Sequence, residues 1–404
     1  MTITPTALPP ALDLMDSRIY TEGRQDSTFR ALRAADPVHW QDANDNGPGF
    51  WSLTRYQDIR DAAADPERLS SAQGTQIFDR KVEGHGKASL HNMDDPEHAA
   101  LRKITVPYLR AVKIQQWNEV IASTTHHLFD DAVAAGEFDL VDTVAAKLPM
   151  LVLSRVLGVD EADAPRMVDW TNRLTSSDPD HQVDSSALET TRSELFDYFR
   201  WLSDQRRAEP TNDLVSILVN GSKDGSPLTW DELAAYYVVL VAAGNETTRH
   251  LVSGGTIALA ENPGTWQRVI DDESLLPTAV EEMFRYVSPV AAMRRTATVT
   301  HEIGGSEVQE GDKVVLWFAA GNRDPEVFEH PEVFDITRTP NEHITFGWGV
   351  HFCLGTHLAR AELRSYFGEQ RARRIDFELT GEPVRVRNNL FRGWSSVPVR
   401  IVQR

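Results

Sequence analysis

The chain has 404 residues, with 41 Lys plus Arg against 60 Asp plus Glu and a formal net charge of −19, so its overall field repels phosphate polyanions and argues against a nucleic-acid role. A single cysteine excludes an internal disulfide and suits a reducing compartment. The first basic residue is Arg18, no long apolar run precedes it, and the longest apolar stretch, Leu233 to Gly244, is shorter than the roughly 18 to 20 residues that span a bilayer. A soluble cytoplasmic protein without a membrane segment is expected.

Length alone is compatible with two or three domains, yet no linker, repeat or low-complexity tract interrupts the chain, and one compact unit over residues 1–404 is expected. Near the start, Pro37-Val38-His39-Trp40 and Gly49-Phe50-Trp51-Ser52-Leu53 flank Asn/Asp/Gly turn chemistry and read as a hairpin. From about 94 to 290 helical patterns dominate. Thr229-Trp230-Asp231-Glu232 is a capping-box pattern opening a helix that is apolar nearly all round, hence buried. Thr296 to Ile303, the turn Gly304-Gly305, and Lys313 to Phe318 read as strands. So do the alternating Ile375, Phe377 and Leu379 and the run Val397 to Ile401. The whole is mainly α with minor β.

Two runs break these patterns. Within the apolar helix, Ala243-Gly244-Asn245-Glu246-Thr247-Thr248 places a glycine and a carboxylate where both are costly. By itself that is compatible with a local kink or a salt bridge to Arg249. The other run is Phe346-Gly347-Trp348-Gly349-Val350-His351-Phe352-Cys353-Leu354-Gly355, followed by Leu354, Leu358 and Ala361 at helical spacing. Cys353 thus falls where a loop becomes a helix, beside unpaired N–H groups that favour a thiolate. A lone cysteine is, out of context, more often an inert thiol. Here there is no second cysteine for a zinc or iron–sulfur site, and an axial thiolate to haem iron is the natural use.

Phe346, Gly349, His351, Cys353 and Gly355 together resemble the F-x-x-G-x-H-x-C-x-G haem signature of the cytochrome P-450 family, and the resemblance extends over nearly the whole chain. It implies a haem b held between a long distal helix and a proximal Cys-loop helix, with Cys353 as iron ligand. The hexapeptide is similar to the family's A-G-x-[DE]-T element. By that match Gly244 leaves room for dioxygen, Thr247 hydrogen-bonds the bound peroxide, and Glu246 relays protons from solvent. Glu282 and Arg285 look like the family's E-x-x-R pair, which supports the proximal loop. Val333 stands where many relatives carry a further arginine, so Arg323 and Arg338 are both candidates for the third partner. His98 and Arg102, Arg295 in Arg295-Thr296-Ala297, and His351 are candidate propionate donors. No C-x-x-C-H occurs for covalent attachment.

In this family the distal pocket is lined by segments that correspond here to Gly74–Leu90, residues 165–205, Tyr237–Thr247, Pro289–Met293 and Leu390–Ser396. Ile77, Phe78, Val290, Ala291, Met293, Phe391 and Trp394 are the candidate substrate contacts. The implied activity is that of a haem-thiolate monooxygenase of the bacterial type. It would hydroxylate a hydrophobic small molecule with O2: a terpenoid, steroid or alkyl-chain substrate, or an alkylbenzene. The chain is expected to be a monomer, reduced by a separate ferredoxin and NAD(P)H-dependent ferredoxin reductase docking near Lys103, Arg110, Lys113, Arg360 and Arg364. A peroxide-driven peroxygenase and a haem gas sensor are the alternatives; the acid–alcohol pair Glu246 and Thr247 argues against the first, and the lack of room for a signalling domain against the second.

Overall fold

The computed structural model describes residues 12–79, 89–175 and 185–404. The sequence-based pocket segments at 80–88 and 176–184 lie outside the described residues. One apolar core is built around the helix Trp230–Glu261, which packs against the helices Lys147–Leu157, Leu276–Val287 and Thr356–Ala372. The expected capping box starts it: Glu232 N–H donates to Thr229 Oγ1 at 3.3 Å, and Thr229 N–H donates to Glu232 Oε2 at 2.8 Å. Burial on nearly every side follows from its composition. Tyr236, Tyr237, Leu233 and Val252 are fully enclosed, with Phe199 stacked on Tyr237 at 4.4 Å. Each large side chain so buried stabilises the fold by about 1.5–3 kcal/mol.

The minor β portion sits to one side. The expected hairpin forms between Val38–Gln41 and Phe50–Leu53 with Trp40 opposite Trp51. The second of these strands continues into a five-stranded sheet, pairing in parallel with Lys313–Leu316, which pairs antiparallel with Met293–Ala297, and that in turn with Leu69–Ser70. The strand expected over Thr296 to Ile303 is in fact two. Thr298 N–H turns away to Arg68 O, and His301–Ile303 pairs instead with Ser306–Val308 around the Gly304-Gly305 turn. Strand Lys313–Leu316 also stops short of Phe318, because Trp317 is buried against Tyr20 and Phe29 and the chain turns there into the short helix Phe318–Gly321. At the C-terminus Ile375–Leu379 pairs with Pro398–Gln403, which also takes up Glu137–Asp139. Among the described residues no helix is long and apolar enough to cross a membrane.

Candidate active site

The cysteine loop is shaped by hydrogen bonding and close approach. Cys353 N–H donates to Phe346 O at 2.9 Å. Gly349, at φ +71°, lies so near Ala63 O that a Cβ would come within 2.3 Å. Only glycine fits there. Phe346 packs on Phe284 at 4.8 Å beneath the Arg360 guanidinium. The following helix begins at Thr356 with Gly355 as its N-cap. Sequence reasoning expected this terminus to favour a thiolate, and the balance of forces corrects that. Burial pushes the Cys353 thiol up, while the Gly355 N–H, Arg102 and Arg360 oppose the rise without cancelling it. A metal cation bound to the sulfur would supply the charge that favours its deprotonation.

A cavity of about 290 Å³ separates this loop from the long helix, and both Cys353 and Thr247 line it. His98, Arg102, Arg295 and His351 gather along the same wall. The His98 and His351 rings are 4.3 Å apart, and Nε2 of each is buried without a hydrogen-bond partner among the described residues. His98 Nδ1 already faces Asp95 Oδ1 at 3.2 Å, which leaves Nε2 to serve the cavity. Burial, then Arg295 and His98, depress His351 to about 3, and burial brings Arg295 down to about 10. Such an electropositive rim with orphaned donors is incomplete, since each buried unsatisfied group costs roughly 1–3 kcal/mol. The two carboxylates of a haem would satisfy it, with the sulfur beneath. The residues fit the group. Arg102 also donates through Nη2 to Phe352 O, tying its helix to the cysteine loop.

On the opposite wall Gly244 faces the cavity, and a Cβ there would meet Leu153 Cδ2 at 2.8 Å. Thr247 Oγ1 donates to Ala243 O at 3.0 Å, a back-bond within the helix. Glu246 does not line the cavity. Its Oε1 accepts from Arg249 Nη2 at 2.6 Å, the salt bridge the sequence allowed, and its Oε2 lies 3.2 Å from His250 Nε2.

Sequence reasoning missed two further residues here. Thr248 Oγ1 donates to Glu362 Oε2 at 3.2 Å, joining the distal to the proximal helix, and both line the cavity. Burial drives Glu362 up to about 8, against the lowering by Thr248, so it is mostly a neutral acid at pH 7. A signal existed, because Leu354, Leu358, Glu362 and Tyr366 follow at i, i+4 and the carboxylate interrupts that stripe.

Glu282 and Arg285 form a fully buried pair at 2.7 Å, and Arg285 also donates to the carbonyls of Asn322, Pro331 and Val333. The third partner is Arg338, whose Nε is 3.2 Å from Glu282 Oε2. Arg323 is engaged elsewhere, with Asp26, Glu332 and Tyr286 O.

Of the candidate substrate contacts, Val290 and Met293 line the cavity. The other five do not, and packing explains each. Ile77 is buried in a separate cluster with Phe50 and Trp317, and Phe78 is exposed on the surface. Ala291 and Phe391 border a small separate cavity with Phe29 and Arg392, while Trp394 packs over Gly254. Leu90, His91, Leu109, Val239, Leu240 and Leu251 take up much of the lining.

A thiol on a glycine-shaped loop, a donor-rich rim and a hydroxyl-bearing helix opposite define a haem-thiolate site, and the comparisons agree. The family model for cytochrome P-450 matches residues 49–369. Linalool 8-monooxygenase of Pseudomonas putida is 34% identical, covering 96% of this chain and 98% of that protein. Steroid C26-monooxygenase of Mycolicibacterium smegmatis is 35% identical, with 96% of each covered. The solved structure of a Mycobacterium marinum cytochrome P-450 in complex with pseudoionone superposes with TM-score 0.88 at 34% identity, covering 99% of this chain and all of that one. The chain belongs to the cytochrome P-450 family. It is an oxidoreductase, a haem-thiolate monooxygenase.

Proposed function

We propose that this chain hydroxylates an apolar molecule of terpenoid or steroid size or an alkyl chain, using O2 and electrons from a separate ferredoxin–reductase pair fed by NAD(P)H. The observation that carries the reading is the single cavity shared by Cys353, the four rim donors and Thr247. We assign haem b, held without a covalent link, in a single domain over residues 1–404 that acts as a cytoplasmic monomer. When bound, haem supplies the redox chemistry: activation of O2 with two electrons and two protons, and insertion of one oxygen atom.

The chain's own residues divide the remaining work. Cys353 offers one thiolate sulfur. His98, Arg102, Arg295 and His351 bind and orient two propionates through charge-assisted hydrogen bonds. Phe346, Gly349 and Gly355 shape the loop that presents the sulfur, and Glu282 with Arg285 supports that loop from behind. Gly244 keeps the helix wall low over the cavity. Thr247 Oγ holds a proton at the distal position, and Glu246 is the acid that replaces it from solvent. Val290 and Met293, with Leu90, Val239, Leu240 and Leu251, exclude water and favour an apolar ligand. Support for the substrate class comes from that lining and from relatives named for linalool and steroid oxidation.

A reconstituted reaction with a terpenoid, steroid and alkyl panel under ¹⁸O2 tests the reading. One labelled oxygen atom per product, dependent on NAD(P)H and both partner proteins, is expected. Product formed with hydrogen peroxide alone, and not with O2 and reductant, would establish the peroxygenase reading instead.

A further inference from the structure

Glu246 is held from two sides that differ in burial. Arg249, on Oε1, has a side chain 15% exposed and leads toward solvent, whereas His250, on Oε2, is 0% exposed and leads inward. We propose that His250 is a positioning residue of the proton relay, its Nε2–H holding Glu246 Oε2 on the inner side of the long helix against the pull of Arg249. The inference rests on the reading of Glu246 as the relay acid.

The tautomer follows from the surroundings. A carboxylate only accepts, so the ring nitrogen at 3.2 Å must be the protonated one. The other, Nδ1, is buried and has no hydrogen-bond partner among the described residues. It faces Gly393, where an added Cβ would fall 2.1 Å away, and the ring lies 6.2 Å from that of Phe391. Burial first, and then Arg249, lower the proton affinity of the ring, opposed by Glu246. A neutral imidazole with one donor, aimed at one oxygen, therefore fills this space.

The same contact gives the histidine a fixed seat. Phe391 bridges Val290, Arg392 N–H donates to Pro289 O at 2.8 Å, and Ala291 N–H donates to Leu390 O at 2.7 Å. Pro289 and Val290 line the cavity. His250 is thus clamped between the relay acid and the segment that carries the cavity wall. Without it, the outward pull of Arg249 on Oε1 would lack the opposing hydrogen bond of the ring on Oε2.

The test uses the haem-loaded enzyme with its redox partners. His250→Phe keeps the ring volume and removes the donor, and His250→Gln restores an N–H at similar reach. In His250→Phe, product per NAD(P)H should fall on the order of 10-fold and the H2O/D2O rate ratio should rise. The reduced carbon monoxide band and the substrate-induced spin shift should stay those of the parent. His250→Gln should recover most of the coupling and the isotope effect. Gly393→Ala, which displaces the ring and leaves Glu246 untouched, should reproduce the loss in weaker form, and it serves as the test should His250→Phe fail to fold. Parent-like coupling and isotope effect in His250→Phe, or no recovery in His250→Gln, would overturn the inference. Glu246→Gln run alongside separates the two layers. If it uncouples while His250→Phe does not, only the role of His250 falls; if it too is parent-like, the relay reading falls with it.

Discussion

Thr247 donates its only hydroxyl proton back to Ala243 O at 3.0 Å while its side chain faces the cavity, so the group is poised to turn rather than locked in a network. Thr247→Ala removes that proton and one methyl group from the cavity wall. The variant is expected to bind substrate and accept electrons normally while product per NAD(P)H falls several-fold and hydrogen peroxide rises, read by titrating peroxide against NAD(P)H consumed. Unchanged coupling would argue against the hydroxyl's role. A carboxylate and a glycine in an apolar helix drew attention to the hexapeptide that holds Glu246 and Thr247, while their roles came from its resemblance to the family's A-G-x-[DE]-T element. Where the carboxylate points was not legible. Glu246 and Thr247 are adjacent and therefore on different faces of the helix. One meets the cavity and the other meets Arg249 and His250, which sequence spacing allows but does not select. Glu362 went unnoticed for the opposite reason: nothing in its own neighbourhood shows that the partner, Thr248, comes from a helix more than a hundred residues earlier.

The elements that carry the site are held by buried charge. The helices Leu276–Val287 and Thr356–Ala372 are bound together by Glu281, which accepts from Arg360 at 2.7 and 2.8 Å and lies 3.2 Å from His343. Burial alone would raise the Glu281 carboxyl, but the His343 and Arg360 hydrogen bonds outweigh it and hold it down to about 2 from an ordinary 4.5. Its stabilisation is therefore fully present above about pH 4.5, and is lost as pH falls toward 2, where the folded form too takes up the proton. Urea midpoints measured from pH 6 down to 2 should fall less steeply in Glu281→Gln than in the parent across that window. Equal slopes would contradict the assignment. Removing one member of the fully buried Glu282–Arg285 pair is more severe. Arg285→Leu should cost about 3–5 kcal/mol and impair haem retention, because the buried Glu282 carboxylate then keeps Arg338 as its remaining cation, beside the neutral donors Asp335 N–H and Asn341 Nδ2. At the start of the long helix, Thr229→Ala should cost only about 1 kcal/mol by chemical denaturation, the value of one cap. That helix start, the hairpin and the terminal strands were all legible from local pattern. The pairing of Phe50–Leu53 with Lys313–Leu316 was not, since parallel neighbours so far apart in sequence leave no local signal. Nor was the seat of Phe391 and Trp394, whose apolarity suits a core as well as a pocket.

Across the whole molecule the charge of −19 sets the terms for reduction. An acidic partner needs a local positive patch, and the structure redraws the expected one. Arg360 is bound to Glu281, whereas Lys103, Arg110 and Lys113 are exposed and carry no ion pair among the described residues. Reduction by a ferredoxin should slow as ionic strength rises, and Arg110→Glu or Lys113→Glu should slow it several-fold at low salt without altering the substrate-induced spin shift. A salt-independent rate would remove the docking argument. The proposed chemistry nevertheless depends on the Cys353 sulfur as the iron ligand, in a pocket where burial pushes the thiol up. The most direct measurement is the absorption spectrum of the dithionite-reduced carbon monoxide complex, in the parent and in Cys353→His. The parent should show the strongly red-shifted Soret band of thiolate ligation and Cys353→His should show the shorter-wavelength band of imidazole ligation. A parent without the red-shifted band, or a histidine variant that keeps it, would contradict the assignment of Cys353 as the iron ligand.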